Sequence, residues 1–123
     1  PEIGHLVHVI DRLLERFRRG ELLSAQHTEF LMHTMMATVT GPDKLKGLLP
    51  RGVQVAHKTG NGFRNEHGIM GADNDIGIVF LPDGRAYSIA IFVTDSRESD
   101  SLNATIIARI SRCIYDYFST PAI

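Results

Sequence analysis

The sequence predicts an α/β fold in which an antiparallel sheet is flanked by helices. Three observations carry that reading. Two stretches of helical periodicity open the chain, three β-rich runs follow, and a long amphipathic stretch closes it. A Pro-Asp-Gly turn joins the last two β-rich runs, so those strands run antiparallel.

Each element has its own warrant. Ile3, Leu6, Val7, Ile10, Leu13, Leu14 and Phe17 recur at helical spacing, with Asp11, Arg12, Glu15, Arg16 and Arg18 mostly off that face. Gly20 fits the stop. Ser24 fits the N-cap of a second helix whose expected buried stripe is Phe30, Leu31, Met35 and Met36, the methionines as core filling. Thr40-Gly41-Pro42-Asp43 breaks that helix, and Lys44 to Leu49 reads as a short helical turn before Pro50. The strand-like runs are Val53 to His57, Ile76 to Leu81 and Tyr87 to Thr94, the last two joined through Pro82-Asp83-Gly84-Arg85. A Gly- and Asn-rich loop, Asn61 to Asn74, links the first two, and a loop of that length is more often functional than idle. The closing helix is expected over Asp100 to Phe118, with Leu102, Ile106, Ile107, Ile110, Ile114 and Tyr117 against a sheet face. Cys113 falls on that stripe and is expected to be buried and inert. With no repeat, low-complexity tract or linker, residues 1–123 read as one segment of a single domain.

Composition narrows the function classes. A hydrophobic content of 43% in 123 residues belongs to a globular chain. Thirteen Lys and Arg against fourteen Asp and Glu give a net charge of −1, so nothing electrostatic draws the chain to nucleic acid or an anionic membrane. No apolar run approaches the roughly 20 residues of a membrane span. The chain opens on Pro1 rather than Met, which reads as a cut, a processing site or an artificial boundary.

The informative stretch is Val55-Ala56-His57-Lys58-Thr59-Gly60-Asn61-Gly62, a strand running directly into Lys-Thr-Gly. Lys58 places a positive charge there, and the Thr59 hydroxyl can bond a bound anion. Gly60 leaves the backbone edge open to a substrate. An N–H just beyond it can face a developing oxyanion. Three residues match by chance often, and alone they fit a plain surface turn better.

The surroundings of the triplet resemble class A serine β-lactamases. Gly20-Glu21-Leu22-Leu23-Ser24, Thr40-Gly41, Leu45-Lys46-Gly47-Leu48-Leu49-Pro50 and Val55 to Gly60 come in that family's order, followed by Asn74-Asp75-Ile76-Gly77 and Leu81-Pro82-Asp83-Gly84. Together with Phe92-Val93-Thr94-Asp95-Ser96, the wording is most similar to the extended-spectrum branch typified by the PER and VEB enzymes. The likeness covers about Leu13 to Phe118.

The resemblance implies roles. Lys58 matches the motif lysine that helps hold the substrate carboxylate, Thr59 the hydroxyl that hydrogen-bonds it, and Gly60 the motif glycine. Asn61 matches the position whose backbone N–H supplies one oxyanion donor, where the family usually carries a small residue. Lys44 falls where this branch often carries an Arg that backs up carboxylate binding, with Arg97 a second candidate. For Lys44 a plain surface lysine stands beside that reading.

What the resemblance also implies lies outside this sequence. Neither Ser-x-x-Lys nor Ser-Asp-Asn occurs, so no nucleophile is assigned, and Glu2 is too close to the first helix for the deacylating glutamate. The chain then reads as the C-terminal part of a β-lactamase or D,D-peptidase-like fold, with an open sheet edge and exposed apolar surface. Its expected partners are a β-lactam and either the N-terminal half of the domain or a second copy of the chain. The whole protein is expected to be secreted or periplasmic, to hydrolyse β-lactams through an acyl-serine, and to need no metal or organic cofactor. Alternatives are a penicillin-binding D,D-peptidase, a β-lactam sensor and a non-catalytic self-associating piece.

Other constellations read as structural. His5 and His8 are three apart on a helix, with no third metal ligand near in sequence. Asp73 and Asp75 are expected at a solvated strand edge rather than as paired catalytic carboxylates. Alternation points His57 to the opposite face from Lys58, for a structural role.

Overall fold

A computed structural model describes residues 2–121 of the chain. The elements are α1 (Glu2–Arg18), α2 (Ala25–Met36), β1 (Gln54–Asn61), β2 (Met70–Phe80), β3 (Ala86–Ser96) and α3 (Asp100–Ser119). The sheet has the order β1-β2-β3 and is antiparallel throughout, with Lys58 opposite Ile76, Asn61 opposite Asp73, and Ile78 opposite Ser88. The expected architecture of an antiparallel sheet flanked by helices is thus the observed one. No helix among the described residues is long and apolar enough to cross a membrane.

Local chemistry sets the element ends. At the end of α1 the Gly20 N–H donates to the Phe17 carbonyl at 2.9 Å and the Glu21 N–H to the Arg16 carbonyl at 3.0 Å. That closure needs the left-handed φ of +75° found at Gly20. Ser24 caps α2 by accepting the His27 N–H at 3.2 Å, and Ser99 caps α3 by accepting the Leu102 N–H at 3.1 Å. Between β2 and β3 the Leu81 N–H donates to the Arg85 carbonyl at 2.8 Å, closing the hairpin.

Strand alternation divides the core in two. On one face Val55, Val79, Tyr87, Ile89 and Ile91 pack with Leu45 and with Ile107 and Tyr115 of α3. On the other, Ala56 and Ile78 pack with Leu14 and Phe17 of α1, and Met32, Met35 and Met36 of α2 reach the same cluster.

Several expectations are corrected. β1 runs through Asn61 and β2 starts at Met70, so residues 62–69 alone connect them and the Lys-Thr-Gly triplet lies inside the strand. Gly71 and Asn74 read as loop residues but lie within β2, where Asn74 pairs with Gly60 on one side and Phe92 on the other. Residues 44–49 form a run of turns. In α2, Phe30 is 72% exposed and Leu31 is exposed too, because only the methionine face meets the sheet. In α3 the buried stripe is Asn103, Ala104, Ile107, Ala108, Ser111 and Tyr115, while Leu102, Ile106, Ile110 and Tyr117 face out. Small residues in that stripe let the helix lie close to the sheet, and this overrides the larger apolar residues beside them. Cys113 turns outward with them and is exposed. Most of the apolar face of α1 is open as well, with Ile3, Leu6 and Leu13 about half exposed.

Candidate active site

β1 is an edge strand, and its free edge carries the motif. Gly62 donates its N–H to the Ala72 carbonyl at 2.8 Å, so it faces β2. Alternation along an antiparallel ladder then turns the backbone of Asn61, Thr59 and His57 the other way, off the free edge. The His57 carbonyl there accepts the Thr38 hydroxyl at 2.8 Å. The Thr59 carbonyl accepts Lys58 Nζ, so the lysine curls back along the edge. Two carbonyls, one ammonium and the outward Asn61 N–H therefore follow one another along a single edge.

The side chains part to either side of β1. Lys58 stands on the α1–α2 side, bordering an apolar groove of about 440 Å³ with Leu13, Phe17, Leu22, Thr38 and Ile76. Thr59 stands on the α3 side and borders a polar cavity of similar size with Thr40, Lys44, Asn61, Asp73 and Ser101. The Thr59 and Thr40 hydroxyls are 2.9 Å apart. A Cβ placed on Gly60 would meet nothing within 4 Å, so the glycine leaves open space beside the strand. Gly41 is the opposite case: it holds a φ of +58°, and a Cβ there would come within 2.6 Å of Thr59 Cγ2. The turn that carries Thr40 and Lys44 thus seats directly against the motif threonine.

Beneath this rim lies a buried polar layer. Lys44 is 6% exposed, which removes the plain surface lysine as a reading of it. Its Nζ lies 2.5 Å from Asp73 Oδ1 and 3.1 Å from Asn61 Oδ1. One alternation along β2, Asp75 is fully buried; it accepts the Leu45 N–H at 3.1 Å and meets His57 Nδ1 at 2.9 Å. Asp73 and Asp75 are therefore not a solvated strand edge. β2 is the central strand, and helix or turn covers both of its faces, so an acidic pair two residues apart there must find buried partners. His57 points away from Lys58 and is fully buried, held by Asp75 through Nδ1.

Arg97, the second basic candidate, is exposed in the turn after β3. The neighbouring β1–β2 turn is braced by Arg64, which donates to the Gly68 carbonyl at 2.7 Å, the Glu98 carbonyl at 3.0 Å and the Asp100 carboxylate at 2.6 Å. His5 and His8 are both exposed on α1.

Sequence reasoning named Lys44, Lys58, Thr59, Gly60 and Asn61; the last four end β1, and Lys44 reaches them from the turn before it. It gave no role to Thr40, whose hydroxyl meets that of Thr59, and set Asp73 aside as a solvated strand edge. The signal for Asp73 was its place on the middle of three strands, which a pass along the chain does not display.

Comparison with known proteins identifies the family and the fold. The model of the β-lactamase enzyme family matches residues 7–118. A β-lactamase of Bacteroides uniformis is 55% identical over 106 residues, which are 85% of this chain and 36% of the relative. The extended-spectrum β-lactamase PER-1 of Pseudomonas aeruginosa is 44% identical over 106 residues, 85% of this chain and 34% of that protein. A crystal structure of a class A β-lactamase from Bacteroides cellulosilyticus superposes with a TM-score of 0.88 at 47% identity, over 91% of this chain and 40% of the other. The structure of PBP-A follows at a TM-score of 0.73 and 31% identity, over 88% of this chain and 37% of the other. The chain spans roughly a third of the length of the curated relatives it matches. It belongs to the β-lactamase enzyme family, and its sheet and helices form part of a class A serine β-lactamase fold.

Proposed function

We propose that the full-length protein containing this chain hydrolyses β-lactams through an acyl-serine intermediate, and that residues 1–123 form the C-terminal segment of its catalytic domain. In this reading the chain supplies the strand that grips the substrate, and the nucleophile comes from elsewhere in the protein. The observation that carries it is the free edge of β1, where the Lys58 ammonium and the outward Asn61 N–H flank the open backbone at Gly60.

The chemistry follows from that edge. Lys58 and the Thr59 hydroxyl hold the substrate carboxylate, the ammonium by charge and the hydroxyl by a charge-assisted hydrogen bond. Gly60 lets the acyl part lie against the strand. The Asn61 N–H then stabilises the oxyanion that forms as the ring carbonyl is attacked. Lys44, which the resemblance makes a second partner for the carboxylate, stands on the wall of the polar cavity with its charge already met by Asp73. The PER-like wording and the 44% identity to PER-1 support an extended-spectrum enzyme of the PER and VEB branch, and the family resemblance supports a periplasmic or extracellular site of action. No step in this scheme calls for a metal or organic cofactor.

Replacing Thr59 by Ala in the full-length protein removes one hydrogen bond to a charged group, so kcat/KM for a chromogenic cephalosporin is expected to fall about 10- to 100-fold. Unchanged steady-state kinetics would overturn the assignment. The likeness to PBP-A favours one second reading, a penicillin-binding D,D-peptidase. Stoichiometric labelling by a penicillin without steady hydrolysis would select it.

A further inference from the structure

We infer that Lys44 is a positioning residue rather than a substrate anchor: with Asp73 it clamps the Asn61 side chain and so fixes the backbone N–H proposed to meet the oxyanion. The inference rests on the β-lactam-hydrolysing reading and departs from the role that resemblance gives this lysine.

Three side chains close a ring. Lys44 Nζ lies 2.5 Å from Asp73 Oδ1 and donates to Asn61 Oδ1 at 3.1 Å. Asn61 Nδ2 donates to the same Asp73 oxygen at 3.2 Å. Both ends of the amide are therefore held, one by a cation and the other by an anion. A longer contact of 3.5 Å joins Nζ to the Asn74 carbonyl.

Burial decides what Lys44 is free to do. Its side chain is 7% exposed and that of Asp73 is 2% exposed. An ammonium that swung out to a substrate carboxylate would leave Asp73 buried and unpaired, which is the costly way to break such a pair. The turn beneath is fixed too. The adjacent Leu45 N–H donates to Asp75, and the Leu45 carbonyl accepts the Ser111 hydroxyl at 2.8 Å.

Asn61 has need of the clamp. It is the last residue of an edge strand, with one further ladder bond beyond it from the Gly62 N–H to Ala72, and β2 pairs with the strand on one side only. Strand ends of that kind fray, and an oxyanion donor works by being held in place before charge develops. Pinning both amide atoms on the α3 side restrains the peptide whose N–H points off the edge.

The test is kinetic and uses the full-length protein. Lys44→Met and Asp73→Asn are each expected to lower kcat about tenfold with little change in KM, the mark of an interaction made in the transition state. Lys44→Arg, which keeps a cation against Asp73, restores most of the loss. In an Asn61→Ala background, Lys44→Met has no further effect, because the link through the amide is already cut. If Lys44→Met instead raises KM at unchanged kcat, and does so equally in the Asn61→Ala background, Lys44 is a carboxylate anchor and the clamp is wrong. Lys44→Met/Asp73→Asn removes both buried charges together, so a folding defect in either single variant does not stall the test.

Absence of any β-lactam turnover by the unmodified protein would refute the functional reading. The clamp is then read by selective ¹⁵N-asparagine labelling. The Asn61 Nδ2 proton donated to Asp73 exchanges with water more slowly than its geminal partner when the ring is intact, and the two exchange alike in Lys44→Met/Asp73→Asn. Equal exchange of the two Nδ2 protons in the unmodified protein overturns it.

Discussion

Gly60 is held to glycine by something other than packing. Its φ is not left-handed and a Cβ would stand in open space, so Gly60→Ala is expected to leave stability within about 1 kcal/mol. The methyl would project where a substrate has to lie against the strand, and KM for β-lactams is expected to rise about tenfold in the full-length protein, a loss near 1.4 kcal/mol of binding. Steady-state kinetics beside a denaturant melt separates the two effects; a destabilised protein with unaltered KM would show that the glycine serves the fold. The motif residues were legible because Lys, Thr and Gly are read as chemical types, whatever surrounds them. The partners of Lys44 were not. Asp73 is 29 positions further on, by subtraction of the two residue numbers, and meets Lys44 only because β2 lies between β1 and β3.

At the scale of the element, α3 and the strand beside it carry a signal that pH can read. Tyr87 of β3 stacks on Phe118 with ring centroids 4.9 Å apart, and its buried hydroxyl has no hydrogen-bond partner among the described residues. Burial, then the neighbouring Tyr115 and Asp116, push its pKa up from 10.0 to about 12. The folded state thus holds the phenolic proton more tightly than the unfolded chain does. Its contribution to stability is complete below pH 10.0 and is lost as pH climbs toward about 12. Urea melts across that window should show a falling midpoint, and Tyr87→Phe should flatten the decline. An equal decline in both proteins would place the alkaline sensitivity elsewhere. Helix and strand periodicity predicted all of the major elements, yet on the inner side of α3 periodicity alone placed Ile107 and Ile114 correctly and Leu102, Ile106, Ile110 and Tyr117 wrongly. Two stripes on that helix are apolar, and the one with alanine and serine wins because it lets the backbone approach the sheet.

Over the whole molecule, apolar surface remains uncovered on α1, α2 and α3, and β1 shows a free edge. Prepared as 123 residues alone, the chain is expected to elute above monomer size and to bind a hydrophobic dye. A sharp monomer peak with cooperative unfolding would contradict this. The openness of the edge was foreseeable from the resemblance, since this chain aligns with only 36% of the Bacteroides uniformis relative, which builds more of the same fold. How the pieces depend on one another was not. Ser111 and Arg112 of α3 donate to the carbonyls of Leu45 and Leu48, each at 2.8 Å, and so hold from below the turn that presents Lys44. Because α3 follows every other described element along the chain, a growing polypeptide emerging from the ribosome gains these two anchors of the turn only once α3 has cleared the exit tunnel.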